Sequence, residues 1–177
     1  MTSIIKVNTI QDGGGNVLLT SNGSGTLTTN NIGGDNTPAF FATLSANQNT
    51  TDITTTKIQF NTEVLDTDNC YDNSTNYRFT PTSAGKYFVY ASFIGRANSV
   101  SNLTNLRTYI YKNGSEVNVA HHDFRNNLGL EATNFMGVVV DLNGSSDYVE
   151  YFARVDHAGS GGIRSDSYAG AYKIIGA

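Results

Sequence analysis

One stretch, Phe79 to Ile94 (FTPTSAGKYFVYASFI), constrains the fold of this 177-residue chain more than any other. Successive side chains of an extended strand point to opposite faces of the sheet. One face of this stretch then carries Tyr87, Val89, Ala91 and Phe93, and the other carries Phe88, Tyr90, Ser92 and Ile94. A solvated antiparallel sheet alternates apolar and polar residues, so a strand that is apolar on both faces needs a core on one side and another layer or subunit on the other. The stretch therefore predicts a central strand, and the need to cover its second apolar face indicates an oligomer.

The composition favours β-structure and excludes several classes of function. Thr, Asn, Ser and 18 Gly residues are abundant, and these types favour strands, turns and loops over helices. Only 15% of residues are charged and the net charge is −4, which disfavours electrostatic binding to nucleic acid. Cys70 is the one cysteine, so neither an intrachain disulfide nor a cysteine-based zinc site can form. We find no secretion signal and no apolar run of membrane-spanning length, and we expect no signal peptide and no membrane insertion.

Strand and turn patterns recur along residues 38–177. Besides the central strand, we predict strands in Ala39–Leu44, Thr54–Asn61, Leu106–Lys112, Glu116–Ala120, Phe135–Leu142, Tyr148–Val155 and Ser167–Ile175. Asn113-Gly114 is the strongest hairpin signal in the chain. About eight to ten short strands at this spacing predict an all-β fold, a jelly-roll β-sandwich that forms a head domain over 38–177.

Residues 1–37 have a different character. A weakly alternating segment, IIKVNTI, is followed by the turn QDGGGN and by few further large apolar residues, too few to build a core. We expect a short extended N-terminal arm that is ordered by neighbouring chains. The segment resembles the N-terminal segments of bacteriophage fibre and appendage proteins, which implies attachment to a virion. The residues expected to make that attachment are Ile4, Ile5, Val7 and Ile10.

The head carries a series of motifs in a recognisable order and spacing. They are Phe60-Asn61, Tyr71-Asp72, Phe79, Pro81, Gly85, Tyr87, Phe88, Asn113-Gly114, Leu142, Asp147, Val149, Tyr168, Gly170 and Tyr172. In these motifs the chain resembles the globular head of the complement first component and its relatives, the tumour-necrosis-factor-like jelly rolls. The resemblance implies a homotrimer that associates through one sheet. The residues predicted to form the trimer interface or the core are Tyr87, Phe88, Val89, Tyr90, Phe93, Tyr148, Tyr151, Tyr168 and Tyr172.

Together the two resemblances imply a structural protein of a bacteriophage virion, a trimeric fibre or spike-like appendage whose head binds the host surface. The partners are then other copies of the chain, other virion proteins through the arm, and a host glycan or protein. Candidate contact loops are 98–105, 122–130 and 157–165, and the candidate receptor contacts are Arg96, Arg125, Arg164 and Tyr71. Asn, Ser, Gly and Tyr are the types that adaptable binding surfaces use.

Three alternatives stay open at this level. The chain fits a head fibre or capsid decoration protein without receptor binding, and it also fits a free lectin-like module whose loops bind glycans. An enzymatic depolymerase ranks third, because no nucleophile, base or metal signature of a hydrolase occurs in the sequence. We therefore predict no enzyme and no cofactor.

Metal binding is weighed against ordinary structural roles. Asp66, Asp68 and Asp72 place carboxylates on one predicted loop, and such oxygens suit calcium, although loop aspartates are more often turn residues. Three copies of His121 could meet around a trimer axis, whereas the neighbouring His122 points to the opposite face. These four residues, the three aspartates and His121, are the only metal candidates.

Overall fold

The structure, a computed structural model, describes residues 7–29, 36–98 and 102–175. The chain divides into two compact units, Met1–Asp35 and Asn36–Ile175. Every regular element in the described ranges is a β-strand, and no helix among these residues could cross a membrane. Ile4 and Ile5, two of the residues predicted to attach the chain to a virion, lie outside the described residues.

The first unit contains a small antiparallel sheet of three strands. These are β1 (Thr9–Gln11), β2 (Val17–Ser21) and β3 (Leu27–Thr29), in that order. Asp12 and Asn22 make the two turns, because each side chain accepts hydrogen bonds from backbone N–H groups two and four residues further on. The segment therefore folds back on itself twice, with extended strands between its turns. Val7 and Ile10, the two attachment candidates that are described, are 53% and 43% exposed.

The second unit is a sandwich of two antiparallel sheets. Its strands are β4 (Ala39–Thr43), β5 (Gln48–Asn49), β6 (Thr56–Lys57), β7 (Thr62–Asp66), β8 (Tyr71–Asp72), β9 (Arg78–Phe79), β10 (Ala84–Ala97), β11 (Leu103–Lys112), β12 (Ser115–Asp123), β13 (Glu131–Asn143), β14 (Val149–His157), β15 (Gly161–Ile163) and β16 (Tyr168–Lys173). The seven-stranded sheet has the order β5-β15-β10-β16-β4-β7, and β13 pairs with β10. The six-stranded sheet has the order β12-β11-β14-β9-β8, and β6 pairs with β14.

Strand β10 is the centre of the seven-stranded sheet, as its sequence predicts. Along one edge it pairs with β13, from Ala84 to Arg96. Along the other edge it pairs first with β16 and then with β15. Its odd-numbered side chains from Tyr87 to Phe93 are fully buried between the two sheets, which confirms the predicted core face.

The core between the sheets is rich in stacked aromatic rings. Phe40 of β4 stacks on Tyr71 with ring centroids 4.3 Å apart, and on Phe79 with centroids 4.8 Å apart. Tyr151 of β14 is completely buried, and its hydroxyl donates a hydrogen bond of 3.0 Å to the Gly170 carbonyl of the opposite sheet. Burial raises the pKa of Tyr151 well above its ordinary value. The two sheets are thus joined by aromatic packing and by a buried polar contact.

Two asparagine side chains join the sheets along the side where β12 and β13 run beside each other. Asn134 of β13 is 3% exposed, and its Nδ2 donates to Thr108 Oγ1 over 3.1 Å and to the Ala120 carbonyl over 3.3 Å. Asn118 of β12 donates to the Gly137 carbonyl of β13 over 3.0 Å. These bonds satisfy polar groups between the sheets and fix the position of β13 against β11 and β12.

The predicted strands agree with the structure in most places. Eight strands of the second unit have five residues or more, and the Asn113-Gly114 turn joins β11 to β12 with positive φ angles at both residues, 52° and 78°. The predicted strand Thr54–Asn61 is wrong for most of its length, because only Thr56 and Lys57 pair with a neighbour. Beyond them, Ile58 and Phe60 are buried in the core outside any strand.

Candidate interaction surfaces

The outward face of the seven-stranded sheet is covered with aromatic side chains. Cross-strand register places Phe88 of β10 between Val139 of β13 and Tyr172 of β16. The same face carries Phe41, Tyr90, Phe135 and Tyr168. We call these seven residues the aromatic face. Phe135 is 63% exposed, Val139 51% and Tyr172 39%, so the aromatic face is open to solvent in one chain.

Two glycines allow the rings of the aromatic face to lie flat against the sheet. A Cβ atom built on Gly137 would lie 2.7 Å from the Phe88 ring, and one built on Gly170 would lie 2.5 Å from the phenol of Tyr90. Phe88 also contacts Tyr90 and Tyr172, with ring centroids 5.9 Å and 5.7 Å apart. Partial burial raises the pKa of Tyr90 above its ordinary value, and the neighbouring phenols of Tyr168 and Tyr172 raise it further.

Ion pairs lie at both ends of the aromatic face. At one end Lys86 Nζ contacts Asp141 Oδ1 at 2.7 Å. At the other end Arg164 contacts Glu131 at 2.9 Å and also pairs with Asp166. An apolar centre with a charged rim is the usual anatomy of a protein–protein interface.

The residues predicted for the trimer interface or the core separate into three groups. Tyr87, Val89, Phe93 and Tyr151 lie in the core, and burial raises the pKa of Tyr87 to about 12. Phe88, Tyr90, Tyr168 and Tyr172 lie on the aromatic face. Tyr148 lies on neither, because it precedes β14 and is half-buried beneath the guanidinium of Arg78, 4.5 Å from its ring centre.

Sequence reasoning missed three members of the aromatic face, Phe41, Phe135 and Val139. Phe135 and Val139 belong to the run FMGVVVDL, which is apolar on both faces in the same way as β10. That run predicts a strand with a second cover, so the signal for these residues is present in the sequence.

The candidate receptor contacts are brought together only in part. Arg96 and Arg164 line one small polar depression together with Asn47, Gln48, Asn49 and Asn98. Arg125 lies elsewhere and forms an ion pair with Asp123. The hydrogen bond from the Arg125 side chain lowers the pKa of Asp123 to about 2. Tyr71 is 5% exposed and its hydroxyl donates to the Phe60 carbonyl, so its assignment as a receptor contact is corrected.

Two of the three candidate metal-binding aspartates act as turn residues. Asp66 accepts hydrogen bonds from the backbone N–H groups of Cys70 and Tyr71. Asp72 accepts hydrogen bonds from the backbone N–H groups of Ser74, Thr75 and Asn76. These bonds lower the pKa of Asp72, and the bond from Thr75 has the largest effect. Asp68 accepts from the Thr67 hydroxyl. Among the described residues no three His, Cys, Asp or Glu side chains are placed to hold a metal ion.

The single thiol and one histidine are buried. Cys70 is 6% exposed, its Sγ lies 3.5 Å from the Asp68 carbonyl, and burial raises its pKa. His157 ends β14 with its ring against Gly161, and its backbone N–H donates to Asp52 Oδ1 over 2.7 Å. Both side chains contribute to packing in the head.

Comparison with known proteins identifies the fold of the second unit. No protein-family model matches the chain, and no curated protein sequence does either. The crystal structure of murine APRIL at pH 5.0 is similar over 77% of this chain and 98% of its own, with a TM-score of 0.57 and 10% identity. The globular domain of zebrafish complement 1qA is similar over 77% of this chain and 97% of its own, with a TM-score of 0.55 and 13% identity. The prediction of a tumour-necrosis-factor-like jelly roll is thereby confirmed as a fold.

Proposed function

We propose that this chain is a homotrimeric structural protein of a bacteriophage virion, a fibre or spike-like appendage whose head binds the host surface. The observation that carries the proposal is the aromatic face. Contiguous apolar surface of this kind marks a site of protein association on a soluble domain. A face carried by the central strand and both of its neighbours is available to a second and a third copy of the same chain.

Threefold closure is favoured over a twofold contact by the threefold association that the family resemblance implies. A closed ring uses the aromatic face of every copy and leaves none exposed. The ion pairs Lys86–Asp141 and Arg164–Glu131 then form the polar rim of each contact.

The proposed attachment to the virion rests on residues 1–37. Val7, just before β1, and Ile10, within it, expose apolar side chains that a sheet of three short strands does not bury. Burial against another virion protein would remove this apolar surface from water. The resemblance to bacteriophage appendage proteins supplies the class of partner.

The proposed host contact lies where Arg96 and Arg164 meet. Asparagine and glutamine residues line the same depression as the two arginines, and such a set suits the hydroxyl and carbonyl groups of a surface glycan or a protein loop. Arg96 has no hydrogen-bond or ion-pair partner for its guanidinium among the described residues, whereas Arg164 is neutralised by Glu131 and Asp166.

Light scattering on the full chain tests the association. The wild-type protein is expected at three times the chain mass of 19.0 kDa. Val139→Asp, on the aromatic face, should give a monomer, and Val119→Asp is the matched control because Val119 is 44% exposed on the other sheet. A monomeric or dimeric wild type, or dissociation by Val119→Asp alone, would overturn the threefold assembly.

Particle analysis tests the attachment separately. Purified particles are expected to contain the full chain, and a chain without residues 1–35 should stay trimeric but be lost from the particles. Incorporation of the shortened chain would place the attachment in the head. Incorporation of the full chain together with failure of the head to bind host cells would favour a capsid decoration role.

A further inference from the structure

The outward face of the six-stranded sheet presents three chemically distinct rows of side chains. Strand register aligns His121, Arg107 and Arg154 in the first row. The second row contains Val119, Tyr109 and Phe152. The third contains Glu116, Tyr111 and Glu150. A basic row, an apolar row and a row with two carboxylates therefore follow one another along β12, β11 and β14.

The basic row has an uncompensated positive charge at Arg107. Its cross-strand neighbours are His121 on one side and Arg154 on the other, and the like charges of Arg107 and Arg154 in directly opposite positions repel. Arg154 is held by Asp156, with Nε 2.7 Å from Oδ1 and Nη2 2.9 Å from Oδ2. Asp156 thus neutralises Arg154 and leaves Arg107 without a counter-ion.

The guanidinium of Arg107 also lacks hydrogen-bond partners. Its Nε is buried without an acceptor, and its two terminal Nη groups have none in the described part of the chain. The Nη groups are not buried, so a bound acceptor can reach them and supply the missing hydrogen bonds. The planar fork of a guanidinium matches the two oxygens of a carboxylate.

A surface cavity of about 350 Å³ lies on this face of the sheet, and Arg107 is part of its wall. It is lined by Arg107, Tyr109, Glu116, Val119 and His121, and therefore takes in members of all three rows. Strands rise about 3.3 Å per residue, so Arg107 and the level of Glu116, opposite Tyr111, are about 13 Å apart along β11. The site is long enough for a chain of several rings.

From this arrangement we propose that the cavity is a binding site for a short oligosaccharide that contains a carboxylated sugar. The carboxylate pairs with the guanidinium of Arg107, beside His121. The apolar faces of the sugar rings lie on Tyr109 and Val119, and sugar hydroxyls donate to the carboxylate of Glu116. Glu116 disfavours doubly charged phosphate and sulfate-rich ligands, because its own negative charge repels them.

This site is separate from the Arg96 and Arg164 depression and from the aromatic face, since those lie with the seven-stranded sheet. A result that contradicts the proposed trimer or the proposed virion role would therefore not contradict this site. It goes beyond the proposed function by assigning a second surface of the head to an acidic glycan.

Calorimetry and amide chemical-shift mapping of the full chain test the site, with a galactose trisaccharide that carries a single terminal galacturonic acid as the probe. The expected result is saturable binding that shifts the amides of Tyr109 and Val119 and weakens as salt is raised. Arg107→Gln should weaken binding about tenfold or more, because a charge-assisted hydrogen-bond pair is lost. Arg107→Lys keeps the charge without the fork and should bind with intermediate affinity.

The matched control is Lys112→Gln, which removes one positive charge from the same strand outside the cavity. Lys112 is paired with Asp147, and its loss should leave binding of the probe unchanged. Equal binding of the neutral galactose trisaccharide, unchanged binding by Arg107→Gln, or no binding to the wild type at millimolar concentration would overturn the proposal. Binding of 6-aminohexanoate in preference to the uronate would reassign the cavity to a zwitterion and would also overturn the proposal.

Circular dichroism of each variant establishes that the variant is folded. Glu116→Gln, at an exposed position, is expected to weaken binding of the probe and serves as an independent check.

Discussion

The phenol of Tyr90 lies directly over the backbone of Gly170 on the neighbouring strand β16. A Cβ atom at position 170 would be 2.5 Å from both Cζ and Oη of Tyr90, and 2.9 Å from the Phe40 carbonyl oxygen. The glycine is therefore required by close approach on both sides of the strand. It allows a tyrosine of β10 to lie flat on the aromatic face between Tyr168 and Tyr172.

Gly170→Ala is expected to destabilise the head by about 1–3 kcal/mol, because an extra methyl group in a closely packed site forces neighbouring atoms apart. Urea unfolding followed by circular dichroism measures the change. Gly13→Ala is the control, because a Cβ at Gly13 would meet no atom within 4 Å. An unchanged stability for Gly170→Ala would mean that Tyr90 moves aside freely.

The buried amide of Asn134 provides a second test. Asn134→Leu leaves the hydroxyl of Thr108, itself fully buried, without its partner, and should cost about 1–3 kcal/mol of unfolding free energy. Replacing both partners, as Asn134→Leu with Thr108→Val, should recover part of that loss. A double-mutant cycle from urea unfolding gives the coupling between the two side chains. Strict additivity would contradict a direct interaction between them.

Acid should remove the contribution of Asp72. Because hydrogen bonds from backbone N–H groups lower the folded-state pKa of Asp72, its stabilisation is present above the ordinary value of 3.8 and is lost as the pH falls below it. Asp72→Asn should therefore lower stability at neutral pH, by at most about 1 kcal/mol at this solvent-exposed turn. The difference from wild type should shrink when urea unfolding is repeated at about pH 2.5, below the ordinary carboxyl range. Glu63→Gln, on exposed strand β7, is the control, and a difference that is independent of pH would contradict the role of Asp72.

The thiol of Cys70 should react slowly in the folded protein. Burial raises its pKa and so lowers the thiolate fraction, and it also blocks the approach of a reagent. At about pH 8, near the ordinary thiol pKa, alkylation is expected to be at least about tenfold slower than in denaturant. A Cys70→Ala, Val64→Cys variant is the control, because Val64 is 63% exposed. Rapid labelling of native Cys70 would indicate local opening around β8.

The sequence is sufficient to predict the features that depend on local patterns. The two apolar faces of β10 are readable from alternation alone, and the hairpin at Asn113-Gly114 follows from residues that tolerate positive φ. The jelly roll follows from the number and spacing of such strands and from the motif order. These are short-range properties of the chain.

The surfaces depend on register between distant strands, which local patterns do not determine. Arg107 lies opposite Arg154, although 46 residues separate them in sequence, and the basic row exists only because β11 and β14 pair in that register. Tyr71 shows how a local pattern can suggest an exposed contact for a side chain that is buried. A tyrosine beside a polar loop suggests an exposed contact, but the stacking of its ring on Phe40 places it in the core.

Strand β10 forms its ladders with β13, β15 and β16, and all three follow it in the chain. During synthesis β10 therefore leaves the ribosome before any of its hydrogen-bonding neighbours has been made. Its two aromatic faces stay uncovered until residues 131–173 emerge, because pairings over such sequence distances form late. We expect the nascent head to depend on chaperones during this interval, and its folding to be completed only when translation is nearly complete.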